Sequence, residues 1–218
     1  VPEDHAGFLD LCKKLQKAGK PAGFALGNAV GDGNGFANWL LWSHNAALLD
    51  EEGNVIINSK ETIAALKYLK ELYPTFIAGT PSWNDVSNNR AYSSGEGALT
   101  ANGVSLYFSL KKDPAMAAIA DDTEHQLLIK GLAKVSPMSG LTLNAMVFKH
   151  SQFPNAAKAF LQFMLEKEQY EPWLNANSGY WAQPLAAYAD SAVWSGDPKV
   201  SIFKDTMKSN YYNGYRGP

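Results

Sequence analysis

Apolar residues recur along this chain in two rhythms. Within residues 3–18, Phe8, Leu11, Cys12 and Leu15 fall three and four apart, acidic residues open the run, Lys13, Lys14 and Lys17 close it, and Gly19 follows. That pattern predicts an amphipathic helix whose charges complement its dipole and whose stop is a glycine. The same rhythm returns at residues 36–49, which hold Trp39 and Trp42, and at 59–76, where Ile63, Leu66, Leu69, Tyr73 and Phe76 share a face behind an Asn58 or Ser59 cap. It recurs at 105–119, from Pro154 onward with Ala157, Phe160, Leu161 and Met164 as one stripe, and at 166–177. A short helix is also predicted near 82–85, and helical stretches near 185–189 and 198–208. The second rhythm is the short run bounded by turn residues. Runs at 23–26, 98–101, 125–129 and 142–148 predict strands, and the polar turn Asp50-Glu51-Glu52-Gly53-Asn54 between Leu48-Leu49 and Val55-Ile56-Ile57 predicts a hairpin. Strands interleaved with helices give an α/β chain.

Composition narrows the function classes. With 218 residues and 46% hydrophobic content the chain can bury one large core or two smaller ones. A net charge of -2, with Lys13-Lys14 and Lys111-Lys112 only as isolated pairs, argues against nucleic acid as a partner and against a membrane-binding basic tail. There is no apolar run of about 18 residues and no signal sequence at the start. Cys12 is the single cysteine, which excludes an internal disulfide and a thiolate zinc cluster, and its spacing marks it as a packed thiol. His5, His44, His125 and His150 form no ligand-spaced pair, and no acidic cluster resembles a calcium loop, so no metal or cofactor is expected. The glycines at Gly27, Gly31, Gly33 and Gly35 lack phosphate-binding spacing and read as a permissive turn.

The stretch Gly95-Glu96-Gly97-Ala98-Leu99-Thr100-Ala101-Asn102-Gly103 reads as a strand ending in a turn that opens a helix at Ser105. In open α/β sheets ligands sit outside the carboxyl ends of strands, although an ordinary connection has the same pattern. Amides accompany aromatics repeatedly: Asn38 beside Trp39, Asn84 beside Trp83, Asn102 before Tyr107. A sugar needs flat apolar faces for its C–H groups and fixed polar groups for its hydroxyls, which this pairing fits, as does a plain aromatic core. Trp39 and Trp42 share part of a helix face, so either one packs while one faces a cleft, or both pack. Trp42 is the better core residue.

Four stretches resemble the second lobe of a periplasmic sugar-binding protein of an ABC importer, in the extracellular solute-binding family that includes the maltose-binding protein. They are residues 39–54, residues 59–76, the Gly-x-x-Ala-x-x-x-Asn-Gly pattern from Gly95 to Gly103, and Phe153-Pro154-Asn155-Ala156-Ala157-Lys158-Ala159-Phe160-Leu161. The resemblance implies a type II periplasmic-binding-protein-like lobe, with a mixed sheet flanked by helices, in a fragment lacking most of the first lobe and truncated at its C-terminus. It assigns 1–140 to the main body of the second lobe, 141–183 to the first lobe, and 184–218 to the return. Residues 141–183, without their usual partner surface, would then pack against another copy, as a homo-oligomer, or in an altered place.

By the same resemblance, Phe36 and Trp39 would line the cleft from one helix, and Asn38 joins them as the amide beside Trp39. Asn102, Gly103, Ser105 and Tyr107 would line it at the strand-to-helix junction, and Tyr180 and Trp181 would sit in the loop that approaches the hinge. Independently of the resemblance, Trp83 at a helix start beside amides and carboxylates either faces a polar cavity or covers the core edge. Ser105 stands where the family has an aromatic, which implies a smaller sugar or a polyol rather than a stacked maltodextrin. The implied activity is binding without turnover and delivery to a membrane permease, in the periplasm or, as a lipid-anchored protein, outside the cell. The rival from another class is a carbohydrate-processing enzyme using Asp85 and Glu96 as acid and base. A plain interaction module is a third reading, which a structure without a cleft would favour.

Overall fold

A computed structural model describes residues 2–28, 31–138, 144–180 and 186–209, the side chains of 186 and 205–209 excepted. Helix α1 spans His5–Lys17, and the Asp4 carboxylate caps it by accepting from the Gly7 amide at 2.8 Å. α2 spans Asp32–Ser43, four residues earlier than the apolar rhythm suggests, and ends before Asn45, whose φ of 59° is left-handed. α3 spans Lys60–Leu72 behind the Ser59 cap, then tightens into a 3-10 turn at Tyr73–Thr75. α4 is Ser87–Ser93 and α5 is Ser105–Lys112.

The helix expected over 105–119 is broken. Asp113 is extended and accepts from the Ala115 amide at 2.9 Å, while Pro114, which has no N–H, opens a 3-10 turn before α6 at Ala117–Asp122. α7 is Pro154–Met164, α8 is Lys167–Ala176 and α9 is Ala192–Ser195, followed by a 3-10 helix over Pro198–Ser209.

The mixed sheet is reduced. Among the described residues only isolated bridges form: Ala22 lies parallel to both Phe76 and Leu99, and Leu49 lies antiparallel to Val55 in the expected hairpin. Three extended segments nonetheless run side by side, joined by Ile77 N to Ala22 O at 2.9 Å, Gly23 N to Leu99 O at 2.8 Å and Leu26 N to Thr80 O at 3.1 Å. Gly79, at φ 86°, turns the chain two residues after Ile77. Residues 125–129 and 144–148 join no strand, and 142–143 lie outside the described residues.

Two hydrophobic clusters flank these segments. The first gathers Phe8 and Cys12 of α1, Ala22 and Phe24, Phe36, Trp39 and Leu40 of α2, Ala65 and Leu72 of α3, Phe76 and Ile129. Cys12 is the packed thiol its spacing predicts, and burial pushes it up to about 12. The second cluster joins Leu106, Tyr107 and Leu110 of α5 to Tyr170 and Leu174 of α8, Trp194 of α9, and Val200. So α8, which the resemblance assigns with 141–183 to the other lobe, shares a core cluster with α5 and α9 here. α7 buries none of its residues, and Phe160 is 60% exposed.

Candidate functional site

The carboxyl ends of the three extended segments open on one edge. Residues 22–26 lead through the glycine-rich loop to α2, residues 76–80 lead through Trp83 to α4, and residues 97–101 lead through Asn102-Gly103 to α5. The glycines have a stereochemical purpose here. A Cβ on Gly27 would sit 2.2 Å from the Trp83 carbonyl oxygen, and one on Gly33 would sit 2.6 Å from the Gly27 carbonyl oxygen. Only bare backbone allows the segments to come this close.

Asp85 closes the edge. Its carboxylate accepts from the Asp32 amide at 2.8 Å and from the Gly31 amide at 3.3 Å, so a residue 53 positions away satisfies the free N–H groups that start α2. The Asp32 carboxylate in turn accepts from Asn88 Nδ2 at 2.7 Å, and the same amide nitrogen donates to the Ala101 carbonyl at 3.3 Å. Asn89 Oδ1 accepts from Asn102 Nδ2, while Asn102 Oδ1 accepts from the Gly103 amide at 2.9 Å. Burial holds the Asp32 carboxyl above its ordinary value, the Asn88 bond opposes that, and the Asp85 charge adds to it. Asn88 is 1% exposed and its Oδ1 has no partner among the described residues. Behind this edge, Gly23, Ile77, Asn88 and Thr100 line only a narrow crevice, without the room of a ligand pocket.

The expected site residues divide into three groups. Asn102, Gly103 and half-buried Ser105, the first residue of α5, sit on the edge. Trp83 is half-buried beside it, its ring within 3.1 Å of where a Gly23 Cβ would stand. Asn38 is half-buried on α2.

The second group is packed inside. Phe36 is 4% and Trp39 1% exposed, their rings 5.3 Å apart in the first cluster, and the Trp39 indole donates to the Ile129 carbonyl at 3.0 Å. With both ring faces covered they are core residues here, and the two-tryptophan question resolves with Trp39 and Trp42 both buried. Tyr107 is 4% exposed, and its hydroxyl donates to Asp197 at 2.6 Å. The third group stands apart: Tyr180 is largely exposed and Trp181 lies outside the described residues.

The rival acid-base pair is not assembled. Glu96 precedes the 97–101 segment, whereas Asp85 reaches its far end through Asp32 and Asn88. An extended run of that length covers about 15 Å, beyond the ~5–9.5 Å between glycosidase carboxylates. Asp32, Asn88 and Asn89 are absent from the expectations, because nothing local marks a helix start supported from another segment. The acidic residue within a glycine-rich turn at Gly31-Asp32-Gly33 was the one available signal.

A family model described as bacterial extracellular solute-binding protein matches residues 1–202. No curated protein matches the chain. Among solved structures, maltose-bound MalE3 of T. maritima is similar with a TM-score of 0.74 and 21% identity, over 100% of this chain and 56% of that one. An ABC transporter solute-binding protein from Agrobacterium radiobacter K84 in complex with ribitol is similar with a TM-score of 0.63 and 16% identity, over 94% of this chain and 53% of that one. The chain thus spans about half the length of these type II periplasmic binding proteins.

Proposed function

The chain belongs to the bacterial extracellular solute-binding protein family, and from that premise we propose that it forms one wall of a sugar- or polyol-binding cleft in the substrate-binding component of an ABC importer. The observation that carries the reading is the edge where Asp32, Asp85, Asn88, Asn89 and Asn102 converge at the carboxyl ends of three parallel segments. Carboxylates and amides with fixed orientation suit a ligand rich in hydroxyl groups, which both donates and accepts. The maltose and ribitol held by the two similar structures support that class.

Within it, a small sugar or polyol fits best. Phe36, Trp39 and Tyr107 have no open ring face, and Ser105 gives a hydroxyl where an aromatic would stack. Trp83 is the aromatic left beside the edge. Binding occurs without turnover, in the periplasm or outside the cell, and the occupied protein delivers its ligand to the membrane subunits. Calorimetry with ribitol, maltose and a panel of monosaccharides tests this. Binding of a panel member, weakened at least tenfold (~1.4 kcal/mol) by Asp32→Asn and by Asn102→Ala, is the expected result. Unchanged affinity in both variants would remove the site assignment.

A further inference from the structure

Away from the polar edge, His5 at the start of α1 and His44 at the end of α2 lie face to face, with ring centroids 3.9 Å apart and planes 21° apart. Their hydrogen bonds fix which nitrogen bears the proton when the rings are neutral. The Ser43 hydroxyl donates to the Leu40 carbonyl at 3.1 Å, so at 3.0 Å it accepts from His5 Nε2–H. His44 Nδ1 faces the same carbonyl at 2.8 Å and therefore donates to it. In the neutral form each ring thus spends its one proton on a bond.

The surroundings close around the pair. Tyr68 of α3 packs at 4.9 Å from His5 and 5.4 Å from His44, and its hydroxyl donates to the His5 carbonyl. Gly131 lies so near that a Cβ there would sit 2.4 Å from the His5 ring. Of the charged groups facing the pair, Asp4, the cap of α1, attracts a His5 proton, the end of α2 contributes the other histidine, and Lys130 beside Gly131 is exposed.

We propose that the stacked His5–His44 pair is an acid-sensitive clamp, holding α1 to the end of α2 when both rings are neutral and releasing it when they take up protons. One added proton puts a partly desolvated cation between the helices, and two put like charges in stacking contact. Burial first, then His44, lowers His5 from 6.5 to about 4, with Asp4 opposing, and burial lowers His44 against the help of the Leu40 carbonyl. Folded values below the unfolded one mean that the unfolded chain binds protons first. Stability is therefore full above about pH 6.5 and is lost as pH falls toward 4. The shift of His5 alone, discounted for its partial exposure, amounts to an increase on the order of a hundredfold in the unfolding equilibrium constant.

The test compares the chain with the double variant His5→Gln, His44→Asn, whose amides keep both donors and cannot titrate. Urea unfolding at steps from pH 7.5 to 4.5 should give near-equal midpoints at pH 7.5, and a fall toward acid that is much steeper in the unsubstituted chain. Equal slopes would overturn the clamp. Should the variant fail to fold, histidine ring C–H titration by NMR in the unsubstituted chain decides. Values depressed for both His5 and His44 uphold the clamp, and values near 6.5 for both overturn it.

Discussion

The two hydrophobic clusters hold their helices by different means. The first, around α2, is a stack of rings: Phe24 lies 5.2 Å from Phe36 and 4.9 Å from Phe76, and Phe8 lies 5.5 Å from Trp39. Its buried residues come from the stretch 8–76 apart from Ile129. The second, around α5, is fastened by polar clasps to a distant segment. Asp197 accepts from the Tyr107 hydroxyl at 2.6 Å and from Lys111 Nζ at 2.8 Å, 90 and 86 residues away in sequence. Lys199 Nζ donates to the Asp121 and Thr123 carbonyls, and His125 Nδ1 donates to the Lys199 carbonyl at 2.9 Å. The starts of α2 and α5 contribute Asp32 and Asn102 to the polar edge. One side of the candidate site thus rests on apolar burial and the other on charge, and the two can be broken separately.

The largest effect belongs to the ring stack. Trp39→Ala removes a side chain 1% exposed and orphans the Ile129 carbonyl, so unfolding free energy should fall by about 3–5 kcal/mol. Denaturant midpoints measure this, and a loss under ~1 kcal/mol would mean that α2 is held otherwise. The polar side should respond less, and to pH. Tyr107→Phe deletes one hydroxyl and should cost about 1 kcal/mol. Hydrogen bonds from Lys111 and then Tyr107 hold the Asp197 carboxyl at about 2, below the ordinary 3.8. A depressed carboxylate stabilises the fold above its unfolded value, and that contribution is lost as pH falls from about 3.8 through about 2. In Tyr107→Phe the Asp197 value should rise, with the acid midpoint moving up. NMR titration of the Asp197 carboxyl reads this directly, and an unmoved value would show that Lys111 alone sets it.

Much of this arrangement is legible in the residues. The Ser59 cap, the Pro154 helix start, the packed Cys12, the 49–55 hairpin and the Asn102-Gly103 junction all follow from local chemistry, and each stands where its pattern puts it. What is not legible depends on distant partners. The α2 start needs Asp85, the burial of Trp39 needs the Ile129 carbonyl, and Tyr107 turns from ligand candidate to clasp only because Asp197 reaches it. Pro114 is a different case, since a proline inside the 105–119 run is itself a signal to break the helix.

The smallest expected effect sharpens the contrast between α7 and its neighbour. Both α7 and α8 follow the helical rhythm and both belong to the 141–183 segment, yet α8 buries Tyr170 and Leu174 while α7 buries nothing. An amphipathic stripe marks a face that could be covered and leaves open whether this chain covers it. Phe160→Ser with Phe163→Ser, at residues 60% and 42% exposed, should therefore change the stability of the 218-residue chain by no more than about 0.5 kcal/mol. Leu174→Ala, fully buried on α8, should cost about 2–5 kcal/mol. Denaturant unfolding of the two variants side by side makes the comparison. A large loss for the phenylalanines would mean that the α7 face is covered in solution, and sedimentation of the same variants would then show whether a second copy covers it.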